Sequence, residues 1–224
     1  MKINYSNRLI TSIITCFSAF VLGYINAHGL LFYVGAMMSP QTGNIVNMAV
    51  RLRAGEIEAF ITTLVIFGGF LIGCFCATGL LGKQMPAKRD FYIRWSIFFL
   101  PILANRALLG IVPLWLMIFS ISFISGVGLC YFRKIGDIEV NNSIVTGNMR
   151  FMGNALFEMI FKGDKKKSVI FWTFSLVTFC FFLGAYVLAM VSHLGREHSF
   201  SIGVIIAGLP YIIGLFLAEN TEKS

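Results

Sequence analysis

The chain has 224 residues, of which 57% are hydrophobic and only 12% are charged, and its mean hydropathy is +0.81. A soluble domain carries roughly 25% charged residues, so this chain has too little polar surface to coat a globule in water. Lipid is the solvent that suits the composition. Nucleic-acid binding, which the net charge of +8 suggests, is excluded because no basic face remains once the apolar helices are placed.

Six apolar segments are each long enough to cross a bilayer, which takes about 20 residues. The first follows a short basic start (Lys2, Arg8), as a signal peptide would, but no small-residue cleavage site comes after it and more spans follow. Gly110 and Pro113 mark a turn that divides a stretch too long for one helix. The predicted spans are 9–27, 57–81, two within 91–132, 169–191 and 200–217, and they make residues 1–224 a single membrane domain.

Two further segments do not have the pattern of ordinary spans. Residues 29–52 are apolar enough to cross but are interrupted by the polar run 39–44. Residues 135–161 are more polar and contain Asn141-Asn142-Ser143. We predict that both enter the membrane region as broken segments and that neither crosses.

The distribution of basic residues supports this topology. With cytoplasmic termini and six spans, most Lys and Arg residues fall on the cytoplasmic side, which is the positive-inside pattern. The exceptions are Arg51, Arg53 and Arg196, with Arg106 near the outer end of the third span. If the first broken segment crossed, the basic loop 83–94 would move outside. We therefore predict a multi-pass plasma-membrane protein with both termini cytoplasmic.

An internal repeat relates the two halves of the chain. One motif occurs twice, 104 residues apart: Ser39-x-x-Thr42-Gly43-Asn44 and Ser143-x-x-Thr146-Gly147-Asn148. Upstream, Ala19, Gly23 and Ala27 recur 103 residues later as Ser122, Gly126 and Cys130. The repeats cover 9–110 and 113–217. Because each holds three spans, the second lies inverted in the membrane, a design found in transporters and channels.

The predicted fold is therefore an all-α transmembrane bundle of six spans in two inverted repeats, each with one broken segment. The small residues spaced four apart, including Gly69, Gly73 and Ala77, favour close helix packing over direct contact with a substrate.

These motifs resemble the YoaK family of bacterial membrane proteins. The first-half signature corresponds to residues 20–27 followed by Thr42-Gly43-Asn44, and the second to 123–126, 131–134 and 145–148. The resemblance implies a bacterial integral membrane protein of unsettled biochemical function. This chain departs from the family pattern in having Asn26 where an acid is usual and Gly128-Leu129 where Gln-Asn is usual, so a proton or cation role is not carried over.

The paired motifs are the predicted site. Thr42 and Thr146 are predicted helix N-caps, and Pro40 supports a break before the first helix. A helix that begins inside the membrane presents free N–H groups and a positive dipole end. Such a helix end is tolerated only against protein or a watery cavity, and its donors favour anions or neutral polar solutes. The candidate pathway residues are Ser39, Thr42, Gly43, Asn44, Ser143, Thr146, Gly147 and Asn148. The alternative is that Asn44 and Asn148 hold the two halves together by hydrogen bonds.

Two further polar residues are pathway candidates, Asn26 and Arg106. An ionisable residue within a span is a functional hypothesis by default, although Arg106 is near enough to the outer turn to extend to the surface instead. A structural role is expected for His28 at the outer interface.

The function predicted from these features is transport or permeation of a small polar or anionic solute through a midplane site. The alternative is a non-transporting scaffold or partner subunit, in which the motif residues would be dry and bonded to one another. No Asp or Glu lies well inside a span, and no catalytic triad, zinc-binding motif or phosphate loop occurs, so no enzyme activity, cofactor or metal is expected. The bilayer is the expected partner, and a homodimer is compatible with so small a bundle.

Overall fold

The computed structural model describes the backbone of residues 5–33, 35–81, 87–108 and 110–221, and the side chains of 8–33, 35–79, 89–108 and 110–211. Lys2, Lys83, Lys223 and the side chain of Lys88, which contribute to the predicted topology, lie outside the described residues. The described chain is all-α, as predicted, apart from one small hairpin. The helices are α1 (Tyr5–Phe32), α2 (Gln41–Ala54), α3 (Ile57–Leu81), α4 (Ala87–Ala107), α5 (Leu114–Tyr131), α6 (Val145–Phe161), α7 (Lys167–Val191) and α8 (Arg196–Thr221).

Four of these helices contain stretches long and apolar enough to cross a membrane, which makes the chain a multi-pass membrane protein. The stretches are Arg8–Phe32, Ile57–Gly79, Leu114–Tyr131 and Lys167–Leu194. Helices α4 and α8 coincide with the other two predicted spans. The predicted turn is confirmed, since α4 ends at Ala107 and α5 begins directly after Pro113.

The two broken segments are short helices preceded by irregular chain. Helix α2 has 14 residues and α6 has 17, so they extend about 21 and 26 Å, less than the roughly 30 Å of a hydrocarbon core. A hairpin precedes α6, with strand β1 (Lys134–Ile135) antiparallel to β2 (Ile138–Glu139). The sequence pattern did not predict this hairpin, because strands of two residues are too short to show an alternation.

Close contacts at glycines establish that α3 and α5 run parallel. A Cβ atom added at Gly69 would lie 2.6 Å from the carbonyl oxygen of Phe119, and one added at Gly73 would overlap the carbonyl oxygen of Phe123. The contacts thus advance in the same direction along both helices. Ser122 also donates a hydrogen bond from α5 to the carbonyl oxygen of Ile66 on α3.

Helices α1 and α7 form a second parallel pair with the same design. Ala19 shares a buried cluster with Val177, and further along both helices a Cβ at Gly23 would overlap the carbonyl oxygen of Phe181. The reciprocal contact also occurs, because a Cβ at Gly184 would overlap the carbonyl oxygen of Phe20. Glycine at these positions lets the two backbones touch, as the small-residue faces predict.

The helices group into two bodies by their packing. Body one contains α1, α6 and α7, and body two contains α2, α3, α4 and α5. Helix α8 packs against α1 and to a similar extent against α4, so it lies between the bodies, where α1 also contacts α5. The first helix of each half, α1 or α5, therefore packs in the body formed by the other half.

Candidate functional site

In the first half, Asn26 holds the broken segment against α1. Its Nδ2 atom donates to the Ser39 Oγ at 2.9 Å and to the Leu22 carbonyl oxygen at 2.7 Å. The Ser39 backbone N–H donates to the Asn26 Oδ1, also at 2.9 Å. Both side chains are buried. Two predicted site residues are thus brought together, and every polar atom of the Asn26 amide has a partner.

Asn44 and Asn148 perform the same local task in the two halves. The Asn44 Nδ2 donates to the Met37 carbonyl oxygen at 2.7 Å, and the Asn148 Nδ2 donates to the Asn141 carbonyl oxygen at 2.6 Å. Both side chains are buried, and each partner lies seven residues earlier in the chain. The alternative that these residues join the two halves does not hold for the hydrogen bonds described here, because each amide closes the loop of its own segment.

The motif threonines are not the helix N-caps that the sequence predicts. The N-cap positions are Pro40 for α2 and Ile144 for α6, and neither helix has a side-chain cap bond. Thr42 and Thr146 each occupy the second helical residue and are exposed. Pro40 lacks an N–H group, so α2 can begin directly after it without an orphaned donor at that position.

The motif glycines differ in their surroundings. Gly43 is exposed, and a Cβ there would meet nothing within 4 Å. A Cβ at Gly147 would lie 2.8 Å from the Asn141 Nδ2. The second glycine is therefore the more closely packed of the two, although the Asn141 side chain could turn away from a larger residue.

In the second half, Asn142 holds the broken segment in place. Its Nδ2 donates to the Ser18 Oγ on α1 and to the Gly128 carbonyl oxygen on α5, both at 2.9 Å. Its Oδ1 and the neighbouring Ser143 Oγ are buried and have no hydrogen-bond partner. The sequence pattern singled out the polar run 141–143 but did not assign Asn142 to the site, since its partners lie on distant helices.

A narrow apolar cleft lies where the two bodies meet. Its cavity volume is about 10 Å³, room for about one water molecule, so the cleft is nearly closed in this structure. The lining comes from α1, α4, α5 and α8, through residues that include Val21, Tyr24, His28, Ile102, Ile121 and Phe200. Among the described residues, none of the Thr-Gly-Asn motif residues lines this cleft.

His28 is a polar side chain in the lining of the cleft. Its Nε2 lies 3.3 Å from the Arg196 carbonyl oxygen, while its Nδ1 has no partner. The rings of Phe32, Tyr33 and Phe200 surround it, with centroids 4.8–5.3 Å away. This packing fits the structural role that the sequence predicts.

Arg106 does not lie in the cleft. Its side chain is exposed, and its Nε donates to the Ser201 Oγ at 2.6 Å, which ties the end of α4 to the start of α8. Within the described residues, no three His, Cys, Asp or Glu side chains come close enough to hold a metal ion.

Residues 14–214 match the family described as a protein of unknown function, DUF1275. A comparison with curated proteins and one with solved structures each found no match. The match places the chain in an uncharacterised family, whereas the YoaK name and a bacterial origin stay predictions.

Proposed function

The chain belongs to the DUF1275 family, and from this premise we propose that it is a small-solute transporter in which two bodies rock about a shared interface. The observation that carries the proposal is the exchange of α1 and α5 between the bodies. Each body thereby combines helices from both halves, and the interface between them contains a cleft. Rocking of one such unit against another is a common mechanism among transporters with inverted repeats.

The direction of the helices supports six spans and an inverted repeat. Only α4 separates α3 from α5 in the chain, and α3 and α5 are parallel. If α4 stayed on one face of the membrane, α5 would have to return antiparallel to α3. A crossing α4 removes this conflict, and it likewise accounts for the parallel pair α1 and α7.

The charges also separate to two ends of the bundle. At one end, Arg106 reaches Ser201 on α8, and the Arg196 carbonyl oxygen contacts His28 near the end of α1. At the other end, Arg8 forms a 2.9 Å ion pair with Asp137 of the hairpin. This second end is the more basic, because Arg133 and Lys134 lie at the hairpin and Lys165, Lys166 and Lys167 lie at the start of α7. This supports a cytoplasmic location for that end and for both termini.

The second broken segment begins and ends at this basic end. The hairpin lies beside the start of α1, because the Gly136 N–H donates to the Ser12 Oγ at 2.9 Å. The far end of α6 is tied to the start of α7 by a 2.8 Å ion pair between Glu158 and Lys167. Since α7 runs parallel to α1, residues 140–161 enter and leave on one side, as a re-entrant segment does.

Both broken segments contact the interface between the bodies. Asn26 of body one bonds to Ser39, which leads into α2 of body two. Asn142, which leads into α6 of body one, bonds to the Gly128 carbonyl oxygen in body two. Non-helical backbone at membrane depth is tolerated where it lies against protein or a water-filled cavity. We propose that rocking opens the cleft to these segments and forms the midplane site there.

The test is water access to the cleft. In a full-length variant without native cysteines, Ile121→Cys places one thiol in the cleft wall, and membrane-impermeant maleimide is applied separately to each face of sealed vesicles. If the protein transports a solute through the cleft, the thiol at position 121 should be labelled from at least one face. The control, Leu188→Cys, lies on α7 away from the cleft and is fully buried, so it should stay unlabelled. If Ile121→Cys is as inert as the control from both faces, the transport proposal fails and the scaffold alternative is favoured.

A further inference from the structure

The two broken segments are equivalent in sequence but differ in how their polar atoms are satisfied. The repeat offset of 104 residues matches Ser39 with Ser143, and the offset of 103 on the preceding helix matches Asn26 with Leu129. In the first half, the Asn26 amide pairs with Ser39. In the second half, an apolar residue occupies the matching position, and the Ser143 hydroxyl has no partner.

A second unpartnered atom, the Oδ1 of Asn142, lies on the adjacent residue. The orientation of this amide is determined by its neighbours, because the Gly128 carbonyl can only accept a hydrogen bond. The Ser18 hydroxyl already uses its one donor hydrogen in a 2.8 Å bond to the Thr15 carbonyl oxygen, so toward Asn142 it can only accept a hydrogen bond. The Asn142 Nδ2 must face both groups, which leaves its Oδ1 as a free acceptor. Asn142 and Ser143 are each only 1% exposed.

The start of α6 adds donors beside these two atoms. The helix begins at Val145, two residues after Ser143, and no side chain caps it. First-turn N–H groups of an α-helix have no partner within the helix. Two buried, unpartnered side-chain atoms are thus followed directly in the chain by the uncapped start of a helix. The two groups that bond to Asn142, the Ser18 hydroxyl and the Gly128 carbonyl, are both uncharged.

We propose that Asn142, Ser143 and the start of α6 form a binding subsite for a neutral solute that carries an O–H or N–H donor and an acceptor, as polyols and amides do. The subsite indicates which class of solute the proposed transporter would carry. Its role in transport rests on the proposed function. The first half has no equivalent subsite, because Asn26 occupies its place. The site is therefore asymmetric within a repeated fold.

The experiment measures binding without transport, so that the two proposals can fail separately. Saturation-transfer NMR on the purified full-length protein uses three probes, glycerol, urea and acetamide, each alone. Ser143→Ala removes the free hydroxyl, and Leu129→Asn supplies the amide that the first half has. Ser125→Ala is the control, since it removes a fully buried hydroxyl that donates to the Ile121 carbonyl oxygen within α5 and does not belong to the proposed site.

Wild-type protein and Ser125→Ala should bind at least one probe. Ser143→Ala and Leu129→Asn should weaken that binding about fivefold or more, the effect of one neutral hydrogen bond. Ser143→Ala removes an unpartnered group and should not impair folding. The proposal is overturned if no probe binds to wild-type protein, in which case the segment holds water only. It is also overturned if Ser143→Ala binds the probes as well as Ser125→Ala does.

Discussion

The close packing of α3 against α5 can be tested with two adjacent glycines of α3. A Cβ added at Gly69 would lie 2.6 Å from the Phe119 carbonyl oxygen, whereas one added at Gly68 would meet nothing within 4 Å. Both are interior helical residues, so alanine gains the same helix propensity at each, about 1 kcal/mol. The difference between Gly69→Ala and Gly68→Ala therefore isolates the contact between the two helices.

The size of the effect follows from the overlap. Ordinary contact begins at 3.4 Å, and the atom that Gly69→Ala would meet is backbone, so the two helices must separate. Overpacking of this kind costs about 1–3 kcal/mol. Allowing for helix propensity, Gly68→Ala should be more stable than wild-type protein by up to about 1 kcal/mol, and Gly69→Ala less stable by up to about 2 kcal/mol. Gly73→Ala should be the least stable, since its Cβ would overlap the Phe123 carbonyl oxygen.

Thermal denaturation of the purified variants in detergent measures this order. For a chain of this length, 1 kcal/mol corresponds to about 2–4 °C in the midpoint. The expected order from most to least stable is Gly68→Ala, wild type, Gly69→Ala and Gly73→Ala. Equal midpoints for the two adjacent variants would refute the contact and, with it, the parallel pairing of α3 and α5.

Two more predictions concern the broken segment and the exchanged helices. Asn148→Ala removes the buried amide that closes the loop before α6, so it should lower the free energy of unfolding by about 1–3 kcal/mol and with it the denaturation midpoint. The control Asn154→Ala, on the exposed face of α6, should leave the midpoint unchanged. Equal midpoints for the two variants would exclude this role of Asn148. The Cys130 Sγ on α5 lies 4.0 Å from the Cys74 carbonyl oxygen on α3. In a chain that retains only these two cysteines, a mild oxidant should therefore form a disulfide, detected by mass spectrometry of unreduced peptides. A chain with only Cys76 and Cys130 should not react, since Cys76 is exposed, and equal yields would count against the packing.

Local pattern was sufficient to predict the helices and their interruptions. The apolar runs correspond to α1, α3, α4, α5, α7 and α8, and the polar motifs to the breaks before α2 and α6. These features depend on composition over a few turns and on residues such as Pro40 and Gly110 that disfavour a continuous helix. The prediction failed at the scale of one residue, where Thr42 and Thr146 lie inside their helices rather than at the caps.

The choice of partner for each helix was decided only by the tertiary structure. In lipid, one apolar helix surface resembles another, so hydropathy carries no information on which helices pair. The pairing of α1 with α7 depends on glycines and carbonyl groups about 160 residues apart meeting in register. For the same reason, the bonds of Asn26 to Ser39 and of Asn142 to Gly128 could not be read from the sequence, and these bonds distinguish a satisfied first segment from an unsatisfied second one.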